Sequence, residues 1–188
     1  LSNVGDSKVF SLCKHLNSLN PHASVKMING KFSNDISGKT NVDLNEYDII
    51  IDCTGENGVL EIIENTEFMR EHMLASVSVG LGAKRLYMAL MSGRIFDFKN
   101  FFSLVSPYLQ NEKELYDNFD LPRNGIGCWH PTFPGRSDDI WLAAATFVKA
   151  FENYILSKPQ KAVSLVYEQG SSSHIFEGFK IVEQREDE

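Results

Sequence analysis

The sequence predicts an α/β protein in which a mainly parallel sheet is flanked by helices. Short apolar runs typical of strands occur in the same chain as longer runs at helical spacing. Three consecutive isoleucines, Ile49-Ile50-Ile51, stand between turn-forming residues, as expected for a strand buried on both faces of a parallel sheet. Near the end of the chain, the residues Gly170-Ser171-Ser172-Ser173 join two strand-like runs, which predicts an antiparallel hairpin.

The N-terminal part of the chain predicts two helices and two strands. Apolar residues at helical spacing predict a helix over 7–19. Weak alternation predicts a short strand over 23–28, and the isoleucine run predicts a strand over 47–53. A second helix is expected over 59–69. A chain that opens on a helix and continues into a parallel strand has usually lost a first strand, so we expect the sheet to lack it.

The remainder continues the same pattern without internal repeats, so we expect a single domain over residues 1–188. An apolar stripe over 140–155 is wide enough for a helix to lie against a sheet. Two helical runs are separated by Pro107, because proline disfavours helix interiors. The expected elements are strands over 73–79, 84–91, 162–167 and 174–182, and helices over 97–109, 111–118 and 140–155.

Composition excludes several classes of function. The chain has 188 residues, of which 43% are hydrophobic, as in a globular domain. Its net charge of -7 argues against binding to nucleic acid or to an anionic membrane. No apolar run is long enough for a membrane helix. Three cysteines, an odd number with no close pair, favour a reducing environment and a cytoplasmic location.

Polar residues at the end of the isoleucine strand form the first candidate site. Ligands of open α/β sheets bind beyond the carboxyl ends of the strands. Thr54 and the amides of the next helix could therefore face a phosphate. Asp52 and Glu56 offer oxygen ligands for the magnesium ion that accompanies phosphates. A helix N-cap made by Thr54 or Asn57 is the structural alternative.

Two further candidates are a lysine and a cysteine–histidine pair. Lys8 stands in the first turn of a helix, where a cation gains little from the helix dipole and is better explained by a nearby anion. Cys128 lies in the Gly/Pro-rich stretch 125–139, which can leave a thiol exposed. His130 could lower the pKa of that thiol or bond the backbone. A solvated lysine and a packed cysteine are the alternatives.

Taken in order, these segments resemble the ThiF/MoeB/HesA superfamily of adenylyltransferases, which are related to ubiquitin-activating enzymes. Val4-Gly5-x-x-Lys8-Val9, followed by Leu19-Asn20-Pro21, is similar to the family segment whose lysine contacts ATP phosphates. The strand end from Asp48 to Thr54 is similar to the family's D-x-V-x-D-x-T-D-N pattern. Gly55-Glu56 replaces the family's metal-linked Asp and the Asn after it, so either Glu56 takes over the metal or the metal site is altered. Residues 127–133 resemble a bacterial subgroup linked to ubiquitin-conjugating-like or JAB domains.

The resemblance implies a Rossmann-like fold and a two-step activity. ATP would adenylate the C-terminal carboxylate of a ubiquitin-like or other protein substrate, and Cys128 would then hold that substrate as a thioester. Lys8, Asp52, Thr54 and Glu56 would contact ATP and magnesium. A homodimer and a ubiquitin-conjugating-like partner or fused domain are also implied.

The matched segments begin in the middle of the family's domain and correspond to its C-terminal portion. The family's glycine-rich nucleotide motif would lie on the missing first strand. Gly80-x-Gly82 does not replace it, because it continues to Arg85 and precedes a strand-like run. We therefore expect these 188 residues alone to bind ATP poorly and to be inactive.

Two other classes of function fit the same residues. One is the latter half of a nicotinamide-dependent oxidoreductase, which the strand end at Asp52 would suit, although no hydride-transfer residue stands out. The other is a non-catalytic Rossmann-like module that docks a protein partner, which the replaced metal-linked aspartate favours.

Overall fold

The computed structural model describes residues 7–30, 32, 43–116, 135–157, 161–172 and 174–186. The chain divides into two compact units, Leu1–Asp43 and Leu44–Glu188. In the described ranges, no helix is both long enough and apolar enough to cross a membrane.

The first unit contains one helix and an extended segment tied back to it. Helix α1 spans Lys8–Leu19, as the spacing predicts. The expected strand over 23–28 does not form. Instead, the side chain of Asn17 replaces a strand partner: its oxygen accepts from the Val25 amide at 2.9 Å, and its nitrogen donates to the Val25 carbonyl at 2.9 Å.

The second unit is a sheet with helices packed against it. Its strands are β1 (Ile49–Asp52), β2 (His72–Val79), β3 (Arg85–Gly93), β4 (Val163–Ser172) and β5 (Ile175–Glu186). Its helices are α2 (Asn57–Glu64), α3 (Lys99–Tyr116) and α4 (Ser137–Leu156). Short 3₁₀ turns occur at Leu44–Glu46, before β1, and at Leu81–Ala83, between β2 and β3.

The strands follow one another across the sheet in the order β1-β2-β3-β4-β5. The α/β class and the C-terminal antiparallel hairpin are confirmed. The sheet is mixed where we expected it to be mainly parallel: β1 and β2 are parallel, and the other three described pairs are antiparallel. The reason lies in the connection between β2 and β3, which is only residues 80–84, far shorter than a parallel crossover requires.

Helices α4 and α3 cover opposite faces of the sheet. Ala143, Phe147 and Phe151 of α4 pack with Ala75, Met88 and Leu165, on one face of the central strands. Glu112 of α3 reaches Tyr87, which neighbours Met88 and therefore points to the other face. The core thus lies on both sides of β2, β3 and β4.

Strand β1 differs from the expectation that both of its faces are buried. Ile50 is 8% exposed, whereas Ile49 and Ile51 are 45% and 48% exposed. Successive strand residues point to opposite faces, so β1 buries only the face that carries Ile50 and Asp52.

Helix α3 passes through Pro107 as one element, where two helices were expected. Proline inside a helix costs about 3 kcal/mol because a hydrogen bond is lost. Three side chains before it, Phe101, Leu104 and Val105, are at most 4% exposed, and Glu112 after it is 3% exposed. Burial on both sides of the proline offsets that cost and keeps the two halves in one helix.

Candidate functional site

The carboxyl ends of the parallel pair β1 and β2 lie side by side. Asp52, the last residue of β1, is in register with Ser76 of β2. Residues 53–56 leave this edge and enter α2. A Cβ placed on Gly55 would lie 3.8 Å from the Cβ of Ser78, so the loop stays beside β2 as both strands end. This is the place where open α/β sheets bind ligands.

Asp52 is an internal organiser of this loop. It is 5% exposed, and its Oδ1 accepts from the Thr54 amide at 3.0 Å and the Thr54 hydroxyl at 2.6 Å. Its Oδ2 accepts from the hydroxyl of Ser76 at 2.9 Å. Both carboxylate oxygens are therefore bonded within the protein, and a direct ligand contact by Asp52 stays a prediction.

The loop reaches α2 through Thr54, Gly55 and Glu56. The hydroxyl of Thr54 also accepts from the Glu56 amide at 3.2 Å, so Thr54 bridges Asp52 to the start of the helix. Gly55 has a φ of 66°, a left-handed conformation that favours glycine. The alternative in which Thr54 or Asn57 is the N-cap of α2 is wrong. Glu56 occupies the N-cap position, and its side chain makes no capping hydrogen bond.

The start of α2 is open toward solvent. Glu56 is exposed, and a Cβ placed on Gly58 would meet nothing within 4 Å. The first amides of a helix have no partner inside it and carry a partial positive charge, so this end suits an anion. The expected ATP contacts at Thr54 and Glu56 thus fall beside a surface that can take a phosphate.

The described residues offer a limited donor set for magnesium. In the ranges that the structure describes, no group of three or more His, Cys, Asp or Glu side chains could hold a metal ion. Magnesium bound to a nucleotide commonly needs only one or two carboxylates beside the phosphates and water. The described residues therefore form no dedicated metal cage, and Glu56 as a magnesium ligand stays a prediction.

The two described cysteines are poorly suited to nucleophilic catalysis. Burial of the Cys53 thiol raises the pKa of this thiol above the ordinary value, and the negative charge of Asp52 raises it further. The residue as a whole is exposed. A raised pKa keeps the thiol protonated at neutral pH, and the thiolate is the nucleophile. The Cys13 thiol donates to the Val25 carbonyl at 3.2 Å in the first unit.

The remaining predicted site residues are Lys8, Cys128 and His130. Lys8 is exposed at the first position of α1 and belongs to the first unit. Cys128 and His130 lie outside the described residues. Within the second unit, the structure brings together Asp52, Thr54 and the start of α2.

A second polar cluster, which was not among the predicted sites, lies at the end of β2. Glu112 accepts from the Leu81 amide at 2.9 Å, the Tyr87 hydroxyl at 2.7 Å and the Arg85 guanidinium at 3.2 Å. Arg85 also donates to Glu168 of β4 at 2.6 Å. Burial, together with the hydrogen bond to Glu112, raises the pKa of Tyr87 well above its ordinary value, so Tyr87 remains a donor.

A signal for this cluster exists in the sequence. Phe101, Leu104, Val105 and Tyr108 recur at helical spacing, and Glu112 continues the same stripe one turn later. A carboxylate on a buried helix face requires partners, which indicates a buried polar network.

The mixed sheet and its strand-end loop place the chain among α/β proteins with a Rossmann-like architecture. No protein-family model matches the chain. The chain is 33% identical over 149 residues, or 79% of its length, to the ATP-dependent ubiquitin transferase-like protein Cap2 of Enterobacter hormaechei subsp. hoffmannii. This similarity supports the resemblance to ubiquitin-activating-like proteins. The matched region is 24% of the relative, so the chain spans about a quarter of that protein.

Proposed function

We propose that the chain is part of an ATP-dependent adenylyltransferase that activates the C-terminal carboxylate of a ubiquitin-like protein and accepts it as a thioester on Cys128. The observation that carries the proposal is the open start of α2 at the carboxyl end of the parallel pair, beside Thr54 and Glu56. The similarity to Cap2, whose name describes an ATP-dependent ubiquitin transferase-like protein, supports it.

The first proposed step is formation of an acyl-adenylate. A carboxylate oxygen of the protein substrate attacks the α-phosphorus of ATP, the bond to the β-phosphate oxygen breaks, and pyrophosphate leaves. The α2 amides would hold phosphate oxygens. A phosphate contact by the Lys8 ammonium is proposed from the family resemblance alone. Glu56 would hold magnesium, which neutralises phosphate charge when bound. Asp52 would act indirectly, because it fixes Thr54 and the loop.

The second proposed step is acyl transfer to a thiol. The sulfur of Cys128 attacks the acyl carbon, the carbon–oxygen bond to the phosphate breaks, and AMP leaves with both electrons of that bond. The thiol proton passes to His130 or to water. Cys128 is assigned this role in preference to Cys53, since the raised pKa of Cys53 disfavours its thiolate.

The remaining parts of the proposal concern assembly and place of action. A homodimer, and a ubiquitin-conjugating-like partner or fused domain that receives the acyl group, follow from the same family resemblance. A cytoplasmic location agrees with the low cysteine count.

A protein-docking module without catalysis is the second candidate. It is favoured by one observation, namely that both oxygens of Asp52 are bonded internally while Gly55-Glu56 replaces the family's Asp-Asn. In that case Asp52 and Thr54 would only shape the loop, and ATP would leave the properties of the protein unchanged.

One experiment separates the two functions. The intact protein that carries this chain is incubated with ATP, magnesium and a ubiquitin-like protein, and the products are separated on non-reducing gels. We expect an adduct that dithiothreitol removes, that is lost in Cys128→Ala and that persists in the matched control Cys53→Ala. An adduct that survives Cys128→Ala would exclude that residue, and the absence of any adduct would favour the docking module.

A further inference from the structure

Strand β1 forms one edge of the described sheet, and part of its backbone faces outward. Among the described residues, β1 pairs only with β2. The Met73 amide donates to the Asp48 carbonyl at 3.0 Å, so that carbonyl points toward β2. Because backbone groups alternate in direction along a strand, the amides and carbonyls of Ile49 and Ile51 point away from β2. They form an open hydrogen-bonding edge.

The side chains of Ile49 and Ile51 lie half-exposed on the face of the sheet that carries α4. They are 45% and 48% exposed. Ile49 is in register with Met73 and Ile51 with Ala75, and both of these partners pack in the cluster beneath α4. Residues in register on neighbouring strands point to the same face of a sheet. The cover that α4 gives to this face therefore does not extend over β1.

The flank of α4 on the side of β1 is also apolar and exposed. Thr146 and Asn153 of α4 line a groove together with Tyr167, which places their flank on the side of β4. Val148 and Trp141 project from the opposite flank, because successive residues of a helix are 100° apart. They are 56% and 76% exposed. Since the strands run in the order β1-β2-β3-β4, this flank borders the uncovered part of the sheet over β1.

The opposite edge of the sheet carries features that hinder strand pairing. The register of β5 is irregular opposite Val166–Tyr167 and Gln169–Ser171, Gly178 has a φ of 75°, and Lys180 is exposed. Bulges and charged side chains protect an edge strand from pairing with another chain. Strand β1 has a continuous register with β2, and its one charged residue, Asp52, is buried. Its composition therefore suits an interior strand.

A strand followed or preceded by a helix is the partner that fits both open features. An interior strand of a parallel sheet is hydrogen-bonded at both edges and covered on both faces, which is where runs such as Ile49-Ile50-Ile51 occur. A further parallel strand needs a crossover connection, usually a helix. An apolar stripe on that helix could cover the isoleucines beside α4.

This partner has to be permanent, which favours a part of the same protein. A free strand edge beside exposed apolar side chains is an aggregation site. A substrate that binds and leaves would open this edge in every cycle. The chain corresponds to 24% of Cap2, so a protein of that length has about three-quarters of its residues outside this region.

We propose that β1 is an interior strand in the intact protein, covered by a strand–helix unit from outside residues 1–188. The strand of this unit pairs with the outward backbone groups of Ile49 and Ile51, and its helix packs on these side chains and on Val148 and Trp141. The inference goes beyond the proposed function, since it requires neither ATP nor a thioester.

The first test identifies what lies against Ile49 in the intact protein. A photoreactive benzoylphenylalanine replaces Ile49, and the peptides crosslinked on irradiation are identified by mass spectrometry. We expect crosslinks to one segment of the same polypeptide outside residues 1–188. The probe at Val148 should crosslink to residues near that segment in sequence. Ile181 of β5 is the matched control, because it is 50% exposed, and a probe there should not reach the segment.

Hydrogen exchange measures the strand pairing without any substitution. In the intact protein, the amides of Ile49 and Ile51 should exchange roughly a hundredfold or more slowly than in an unstructured peptide, because a paired amide exchanges only when the strand opens.

Three outcomes would overturn the inference. Crosslinked species of twice the mass of the protein would mean that β1 lies at an interface between two copies. Crosslinks confined to residues 1–188 would mean that the chain covers its own edge. Exchange of both amides at the rate of an unstructured peptide would mean that the edge is open. If no adduct forms on Cys128, the proposed function fails, and these readouts still decide the inference.

Discussion

Substitution of Asp52 by alanine tests the internal organisation of the candidate site. The change removes the acceptor for the Thr54 amide, the Thr54 hydroxyl and the Ser76 hydroxyl. Ser76 is 3% exposed, so its hydroxyl would be left without that partner in a buried place. A buried donor that loses its acceptor costs about 1–3 kcal/mol, and hydrogen bonds to a charged group are stronger than neutral ones.

We therefore expect Asp52→Ala to lower the free energy of unfolding by about 2–4 kcal/mol. This corresponds to a decrease in Tm of roughly 5–15 °C for a domain of this size. Ser76→Ala alone should cost about 1 kcal/mol. The double variant should cost less than the sum of the two single changes, because removal of both partners leaves no orphaned hydroxyl.

Urea denaturation followed by circular dichroism measures these differences. Asp48→Ala is the matched control, because Asp48 precedes the same strand and pairs with Arg70 at the surface, with side chains 85% and 44% exposed. Its loss should cost about 0–1 kcal/mol. If Asp52→Ala is no more destabilising than Asp48→Ala, or if the effects of Asp52 and Ser76 are additive, the assignment of Asp52 as the loop organiser is wrong.

Three further predictions concern the same site. Gly55→Ala should destabilise the folded protein by about 1–2 kcal/mol, since the Gly55 φ of 66° is unfavourable for alanine. Gly58→Ala, at a helix position with open space around it, should be neutral or should stabilise the protein by up to about 1 kcal/mol. Equal changes in Tm for the two variants would contradict this prediction. Cys53 should react slowly with iodoacetamide at pH 7 and faster as the pH rises. Asp52→Asn should accelerate this alkylation at pH 7, because it removes a negative charge that raises the pKa of the thiol. An alkylation rate equal to that of free cysteine would refute the raised pKa. The 188-residue chain alone should not support ATP–pyrophosphate exchange, and robust exchange would show that the glycine-rich motif is dispensable.

Periodicity was sufficient to predict most elements of the second unit. The stripe that begins at Ile140 became α4, and the runs over 162–167 and 174–182 became the hairpin. Strand direction is not encoded in periodicity. It is set here by the short β2–β3 connection, whose length was visible in the sequence and which excludes a parallel pair.

Other features depended on packing that no local pattern contains. Burial on both sides of Pro107 keeps α3 continuous, which local propensity alone opposes. The backbone amide and carbonyl of Val25 are both hydrogen-bonded to the side chain of Asn17, so the segment 23–28 needs no strand partner there. Ile49 and Ile51 show that an apolar run indicates a strand but not how many of its faces are covered.

The candidate site was predictable in position and only partly in chemistry. The order strand, polar loop, helix located the site at Asp52 and Thr54, since ligand sites of open sheets occur there. The inward orientation of the Asp52 carboxylate depends on Ser76, which comes from a different strand and could not be paired with it in advance. Glu112 was findable as a carboxylate on an apolar helix stripe.

The most direct test of the account is the identification of the acyl-bearing residue. After the reaction of the intact protein with ATP, magnesium and a ubiquitin-like protein, the adduct is quenched at acidic pH, digested and mapped by mass spectrometry. We expect the substrate's C-terminal carbonyl to be joined to the sulfur of Cys128 and to be released by dithiothreitol. A stable amide on a lysine, or a thioester at Cys53, would contradict the account.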